Sequence, residues 1–285
     1  MKLSSNFIYF HNELGLYKTI DIFSEAGFEG IDFNLDLAEY YNGTHDAEFF
    51  INTRKYAEER GIKFYQAHAP FASSYTDAEK TEKRFWEIAK SIEYASLLGV
   101  EMLVVHPCNH KNYKLCDATR KEMLEYNVNF YKRLAPYAEK FGVKIAVENI
   151  GGCITETADG LCELMNILEN PIFTVCYDVG HANICGQNPV EMIHSLGSLI
   201  GCTHIHDNDG KGDIHTLPFY GSTIDFEEVM KAFAEIGYKG NLNYEAGVFV
   251  KHAPIALRTE SARYMAKVGH YLIDRFEFYK NHKSY

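Results

Sequence analysis

The sequence predicts an α/β protein: a single (β/α)8 barrel of parallel strands, one domain over residues 1–285, with its active site at the C-terminal strand ends. Three features predict it. A unit of helix, glycine and short apolar strand recurs along the chain. Strands alternate strictly with helices, which makes the strands parallel, and eight of them favour a closed barrel over an open sheet. Polar residues fall at the same place, the strand end, in successive units.

Leu3 to Phe10 reads as the first strand. A helical pattern from about Tyr17 then runs into Ala26-Gly27-Phe28-Glu29-Gly30-Ile31-Asp32-Phe33, the first clear copy of the unit. Further copies are Arg60 to His68, Leu98 to His106, Phe141 to Glu148 and Ile236 to Glu245. In each the glycine takes the left-handed conformation that ends a helix, and an apolar strand follows. Thr76 to Leu98, Asp117 to Phe141 and Asp225 to Ile236 carry apolar residues at the three-and-four spacing of helices. Asp225, after Ser222-Thr223-Ile224, is an N-cap, with Glu228 three residues on. Two strands lack the glycine lead: Ile172 to Asp178 after Pro171, and Gly201 to His206. Pro254 to Lys280 reads as the last helix. There is no G-x-G-x-x-G, so a dinucleotide-binding open sheet has little support.

Composition bounds the function. A 46% hydrophobic and 24% charged chain has enough apolar residues for a sizeable core. The formal charge of −11 argues against a surface that tracks nucleic acid or an anionic membrane. Cys108, Cys116, Cys153, Cys162, Cys176, Cys185 and Cys202 are odd in number and form no C-x-x-C pair, which reads as reduced thiols rather than a disulfide framework. The start, Met1-Lys2-Leu3, is no signal peptide, and no apolar run approaches a spanning helix of roughly 20 residues. The expectation is a soluble, cytoplasmic protein with a small-molecule partner; an oligomer is possible.

The strand ends carry the chemistry. His68, His106, Glu148, Asp178, His204 and Glu245 close six different strands, which a barrel gathers on one rim. His181 follows Asp178 by three residues, and the run Cys202 to His215 adds Asp213 and His215. Imidazoles and carboxylates at this density are costly to hold together unless a metal or substrate compensates them. Zinc takes about four to five ligands and Mn²⁺ or Mg²⁺ about six, so nine candidates exceed one ion. One to three ions of Zn²⁺ or Mn²⁺ are expected, or a single ion with the remaining residues serving substrate. His68, His106 and His181 are therefore also candidate substrate-binding residues, as is Lys211, which either meets a phosphate or stays solvated.

The whole chain resembles the xylose-isomerase-like TIM barrels, which include sugar and sugar-phosphate isomerases and epimerases and endonuclease IV. In the ketose 3-epimerases a strand-end Glu, an Asp, a His and a last-strand Glu hold one divalent ion, matched here by Glu148, Asp178, His204 and Glu245. That resemblance implies that Glu148 and Glu245 also exchange the substrate proton. In endonuclease IV further ligands build a trinuclear zinc site, and their positions match His68, His106, His181, Asp213 and His215. The chain departs from endonuclease IV at its first strand, Leu3-Ser4-Ser5-Asn6-Phe7, and in the loop from Asn34 to Asp46, which has no Lys or Arg to meet phosphates. His68-Ala69-Pro70-Phe71 and Glu148-Asn149-Ile150-Gly151-Gly152 look like the segments of sugar-phosphate isomerases. The favoured function is thus a metal-dependent sugar or sugar-phosphate isomerase or epimerase acting through an enediolate; the alternative is a zinc phosphodiesterase.

Other conspicuous residues read as ordinary structure. His206 shares a strand face with His204 but lies beyond the strand end, where hydrogen bonding to the loop suffices for it. Phe85 and Trp86 read as packing, and Cys108 and Cys176 as buried thiols.

Overall fold

Left-handed glycines end the helices where the repeat places them: Gly27, Gly61, Gly99, Gly142 and Gly237 have φ between 67° and 95°. A strand follows each within a few residues. The computed structural model describes residues 1–110, 117–221, 223–251 and 253–282; Cys116 and Ser222 lie outside the described residues. The strands are β1 (Leu3–Asn6), β2 (Gly30–Asn34), β3 (Lys63–His68), β4 (Met102–Val105), β5 (Lys144–Glu148), β6 (Phe173–Asp178), β7 (Ile200–His204) and β8 (Leu242–Tyr244). They form one parallel sheet in the order β7-β6-β5-β4-β3-β2-β1-β8. Just past β7 the ring closes on β8: the Ile205 N–H donates to Asn243 O at 2.8 Å, and the Glu245 N–H to Ile205 O at 3.1 Å.

The barrel interior has two halves. From β4, β5, β6 and β7 come the buried Val104, Ala146, Cys176 and Cys202, which pack together. From β1, β2, β3 and β8 come the buried polar residues Ser4, Asp32, Gln66 and Asn243.

Element boundaries differ from expectation in physically readable ways. The first strand stops at Asn6 and a helix, Ile8–Leu14, follows. Phe7 and Phe10, three apart, are both buried, and Phe10 meets Phe23 edge-on at 5.0 Å; that spacing suits a helix, not the alternation of a strand. The helix expected from Thr76 is Ala78–Leu97, because Asp77 caps it by accepting the Lys80 N–H at 3.0 Å. Asp225 caps Phe226–Glu235 as expected, accepting from Glu227 and Glu228. The last helix is Arg258–Asn281, with Pro254 outside it and a 3-10 turn, Ile255–Leu257, between. Trp86 is half exposed on the outer wall, edge-on to Phe85 and Tyr137. No helix is long and apolar enough to cross a membrane, among the described residues.

Candidate metal centre and active site

Parallel strands end on one rim, and the structure brings together there all nine residues named as ligands. His68, Glu148, Asp178 and His204 are the last residues of their strands; His106 and Glu245 stand one residue beyond theirs. His181 sits on the short helix Val179–Ile184, which Asp178 caps by accepting the His181 N–H at 2.6 Å. Asp213 and His215 arrive on the loop after β7. His215 has φ 51°, a left-handed conformation that costs a non-glycine residue energy and concentrates at functional positions.

The first group converges on Nδ1 of His204, which lies 3.0 Å from Glu148 Oε1, 3.2 Å from Glu245 Oε2 and 3.8 Å from Asp178 Oδ2. Four ligands about 2.1 Å from a zinc ion stand roughly 3.4 Å apart, so these separations bracket a tetrahedral edge. Glu148 Oε2 also meets His106 Nε2 at 2.9 Å and His68 Nε2 at 3.4 Å. A second group forms on Asp213, whose Oδ2 lies 2.9 Å from His215 Nε2 and 3.4 Å from His181 Nε2.

Tautomers show what these groups can hold. His68, His181 and His215 each give Nδ1–H to a backbone carbonyl, those of Ala69 (2.8 Å), Asn149 (3.0 Å) and Glu245 (2.9 Å). Their Nε2 lone pairs therefore face carboxylate oxygens, an arrangement that needs a cation between them, either a proton or a metal. Buried Asp178 Oδ2 has no hydrogen-bond partner among the described residues. The donor set of imidazoles and carboxylates fits a divalent transition ion.

Electrostatics agree with the geometry. Burial opposes the charged form of Glu148, yet the imidazoles of His204 and His106 hold its carboxyl well below the usual range. Burial likewise disfavours charged His204, but Glu245 and Glu148 outweigh it and raise its pKa well above that of free histidine. For His215, burial is overcome by Asp213, Glu245 and Asp178, which push the pKa up to about 9. Burial also works against charged Asp213, and its hydrogen bonds to His181 and His215 depress its pKa regardless.

A cavity of about 360 Å³ opens over the cluster. Its walls include Glu148, His181, Asp213, His215 and Glu245, with Tyr9, Phe71, Asn6 and Asn34 beside them. Phe71 stacks on His106, ring centroids 5.2 Å apart. Asn6 and Asn34 end β1 and β2, so the strand-end rule that found the other six would have found them too.

Two residues stand apart from expectation. Lys211 is exposed and outside the cavity wall; Asp209 Oδ1 accepts its N–H and that of Gly212, making a turn at the loop tip. His206 does more than bond the loop: it is fully buried, stacks on His215 at 3.9 Å and 11°, and places Nε2 3.0 Å from Asp178 Oδ1, out of line for a hydrogen bond. His206 also belongs, with His181, Asp213 and His215, to a set whose ligand atoms lie within 4.8 Å of one another and could hold an ion.

Residues 20–267 match the xylose isomerase-like TIM barrel family. The chain belongs to that family. Among relatives in it, an uncharacterised protein of Methanocaldococcus jannaschii is 33% identical over 189 residues, 62% of each chain. Inosose dehydratase of Clostridium beijerinckii is 25% identical over 63% of this chain and 68% of its own. A probable endonuclease 4 of Lysinibacillus sphaericus is 27% identical over 72% and 67%. Among solved structures of the fold, a D-tagatose 3-epimerase-like protein superposes with a TM-score of 0.79, 23% identity and full coverage of both chains. The IOLI protein with a bound zinc atom gives 0.77 and 23% identity over 98% of this chain and 99% of that one. Xylose isomerase-like barrels thus include enzymes of several chemistries, so the site must discriminate among them.

Proposed function

We propose that this protein is a metal-dependent isomerase or epimerase of a sugar or sugar phosphate, moving a proton at carbon through an enediolate. One observation carries the reading: Glu148 and Glu245, from strands on different sides of the ring, line the same cavity and converge within 3.2 Å of one nitrogen of His204. Two carboxylates flanking one point suit removal of a proton from one carbon and its return to the other face or to the neighbouring carbon. The epimerase-like and zinc-containing structural relatives are in keeping with this.

Glu148, Asp178, His204 and Glu245 would hold the ion. Bound there, a divalent ion would supply Lewis acidity to a carbonyl substrate. The chain's own residues do the rest. Glu245 takes the proton, being the less enclosed of the two glutamates, with 12% of its side chain exposed against 1% for Glu148. Glu148, kept ionised by its imidazole neighbours, is the second exchanger. Asn6 and Asn34 offer amides to substrate hydroxyls, and Tyr9 and Phe71 cover its apolar face. His68, His106 and His181 are the remaining substrate-side groups.

A zinc phosphodiesterase is the second reading, favoured by one feature: the group His181, His206, Asp213 and His215 could hold an ion of its own. The formal charge of −11 weighs against a nucleic-acid substrate. Elemental analysis of protein purified without chelator tests both readings. At least one Zn²⁺ or Mn²⁺ per chain is expected, and a metal-free protein that cannot be reloaded would sink both. Incubation with a panel of ketoses, aldoses and their phosphates, followed by NMR of the products, tests the favoured one. An epimer or isomer is expected. Water loss alone would favour instead a dehydratase, as the inosose dehydratase relatives are named.

A further inference from the structure

We propose that Asp32 of β2 is a positioning residue of the ion site: its carboxylate receives the Nε2–H of His204 and so turns the Nδ1 lone pair toward the ion. The inference rests on the ion site proposed above. His204 differs from the other cluster histidines in the direction it faces. Where His68, His181 and His215 anchor Nδ1–H on backbone carbonyls, His204 presents Nδ1 to Glu148, Glu245 and Asp178. An imidazole that ligates through Nδ1 carries its proton on Nε2. The group facing that nitrogen is Asp32, with Oδ2 at 3.4 Å, both residues buried to within 1%. His204 Nε2 and Asp32 Oδ1 have no hydrogen-bond partner among the described residues. A shift of about 0.3 Å brings the pair into hydrogen-bond range.

Asp32 is itself held in place. Its Oδ2 accepts the amides of Gln66 and Asn243 at 3.0 Å each, and Asn243 Oδ1 accepts the Ser4 hydroxyl at 2.8 Å. Residues from β1, β2, β3 and β8 thus fix one carboxylate beneath the ring. Two neutral amides compensate a buried carboxylate poorly, and the His204 Nε2–H facing the same Oδ2 adds a third donor to it. A carboxylate behind a ligating imidazole fixes its tautomer and makes it a stronger base than a backbone carbonyl does. His204 would therefore be the ring whose ligand strength the protein raises by charge.

The test is Asp32→Asn, which keeps the shape and removes the charge. The Zn²⁺ dissociation constant, read by competition with a chromophoric chelator, should rise about 10–100-fold. The visible spectrum of the Co²⁺-loaded protein should shift with it, a change that a purely structural role of Asp32 would not produce. A dissociation constant within twofold of wild type and an unchanged Co²⁺ spectrum would overturn the proposal. If Asp32→Asn does not fold, nitrogen-15 NMR of histidine-labelled, Zn²⁺-loaded wild type decides. An exchange-protected Nε2–H on His204 supports the proposal, and an Nδ1–H tautomer overturns it. A wild type that binds no Zn²⁺ overturns the ion site as well, which separates the two failures.

Discussion

Glu245 stands one residue past β8 with its side chain on the cavity wall, so its charge can be removed without disturbing a strand. Glu245→Gln keeps an oxygen that can ligate but loses the proton acceptor. Proton exchange at substrate carbon should fall at least about 10²-fold while bound metal is retained, measured by solvent deuterium incorporation and elemental analysis. His215 makes a second prediction. With its pKa pushed up to about 9, it is protonated in the metal-free chain at neutral pH, and a metal must displace that proton. Metal affinity should therefore rise with pH up to about 9, with protons released on binding. Calorimetry in two buffers of different ionisation enthalpy reads that release; a pH-independent affinity with no release would contradict it.

At the scale of elements, the short helix Val179–Ile184 brings His181 to the site, and Gly180 on it is chosen for what it lacks. A Cβ at Gly180 would stand 2.0 Å from Cε1 of His206, whose ring supports His215. Gly180→Ala should cost about 1–3 kcal/mol in a denaturant titration and weaken metal binding, because the rings must move. Unchanged stability would show that the pocket around His206 is loose. This helix also marks where the sequence ceases to be legible. The glycine-ended helices and apolar strands could be read because each obeys a local period. The Val179–Ile184 helix is too short for a period to show, and the helix after β1 was masked by an unbroken apolar run, Phe7 to Phe10. His206 and Asp32 were missed for a related reason. Their surroundings come from rings and carboxylates on other elements, His215 and Asp178 for one, His204 for the other, and no local spacing reports those.

For the whole molecule, barrel closure explains why the rim of polar residues was visible before any geometry. Strand ends far apart in the chain become neighbours, so a polar residue repeated at that place in successive units announces a rim. The rim does not announce the reaction, because the same carboxylates and imidazoles serve proton transfer and phosphate-ester hydrolysis. His68→Ala combined with His106→Ala should separate them: it spares Glu148, Asp178, His204 and Glu245 and leaves some proton exchange, whereas a phosphodiesterase would lose its cluster and its cleavage. The most direct test is deuterium exchange by the Zn²⁺- or Mn²⁺-loaded wild type. Incubated in D2O with a sugar and sugar-phosphate panel, and separately with a duplex containing an abasic site, it should place deuterium on carbon beside a carbonyl in at least one sugar. That exchange should stop when the metal is stripped, and the duplex should stay intact. Cleavage of the duplex without exchange into any sugar, or exchange that survives metal removal, would contradict the account.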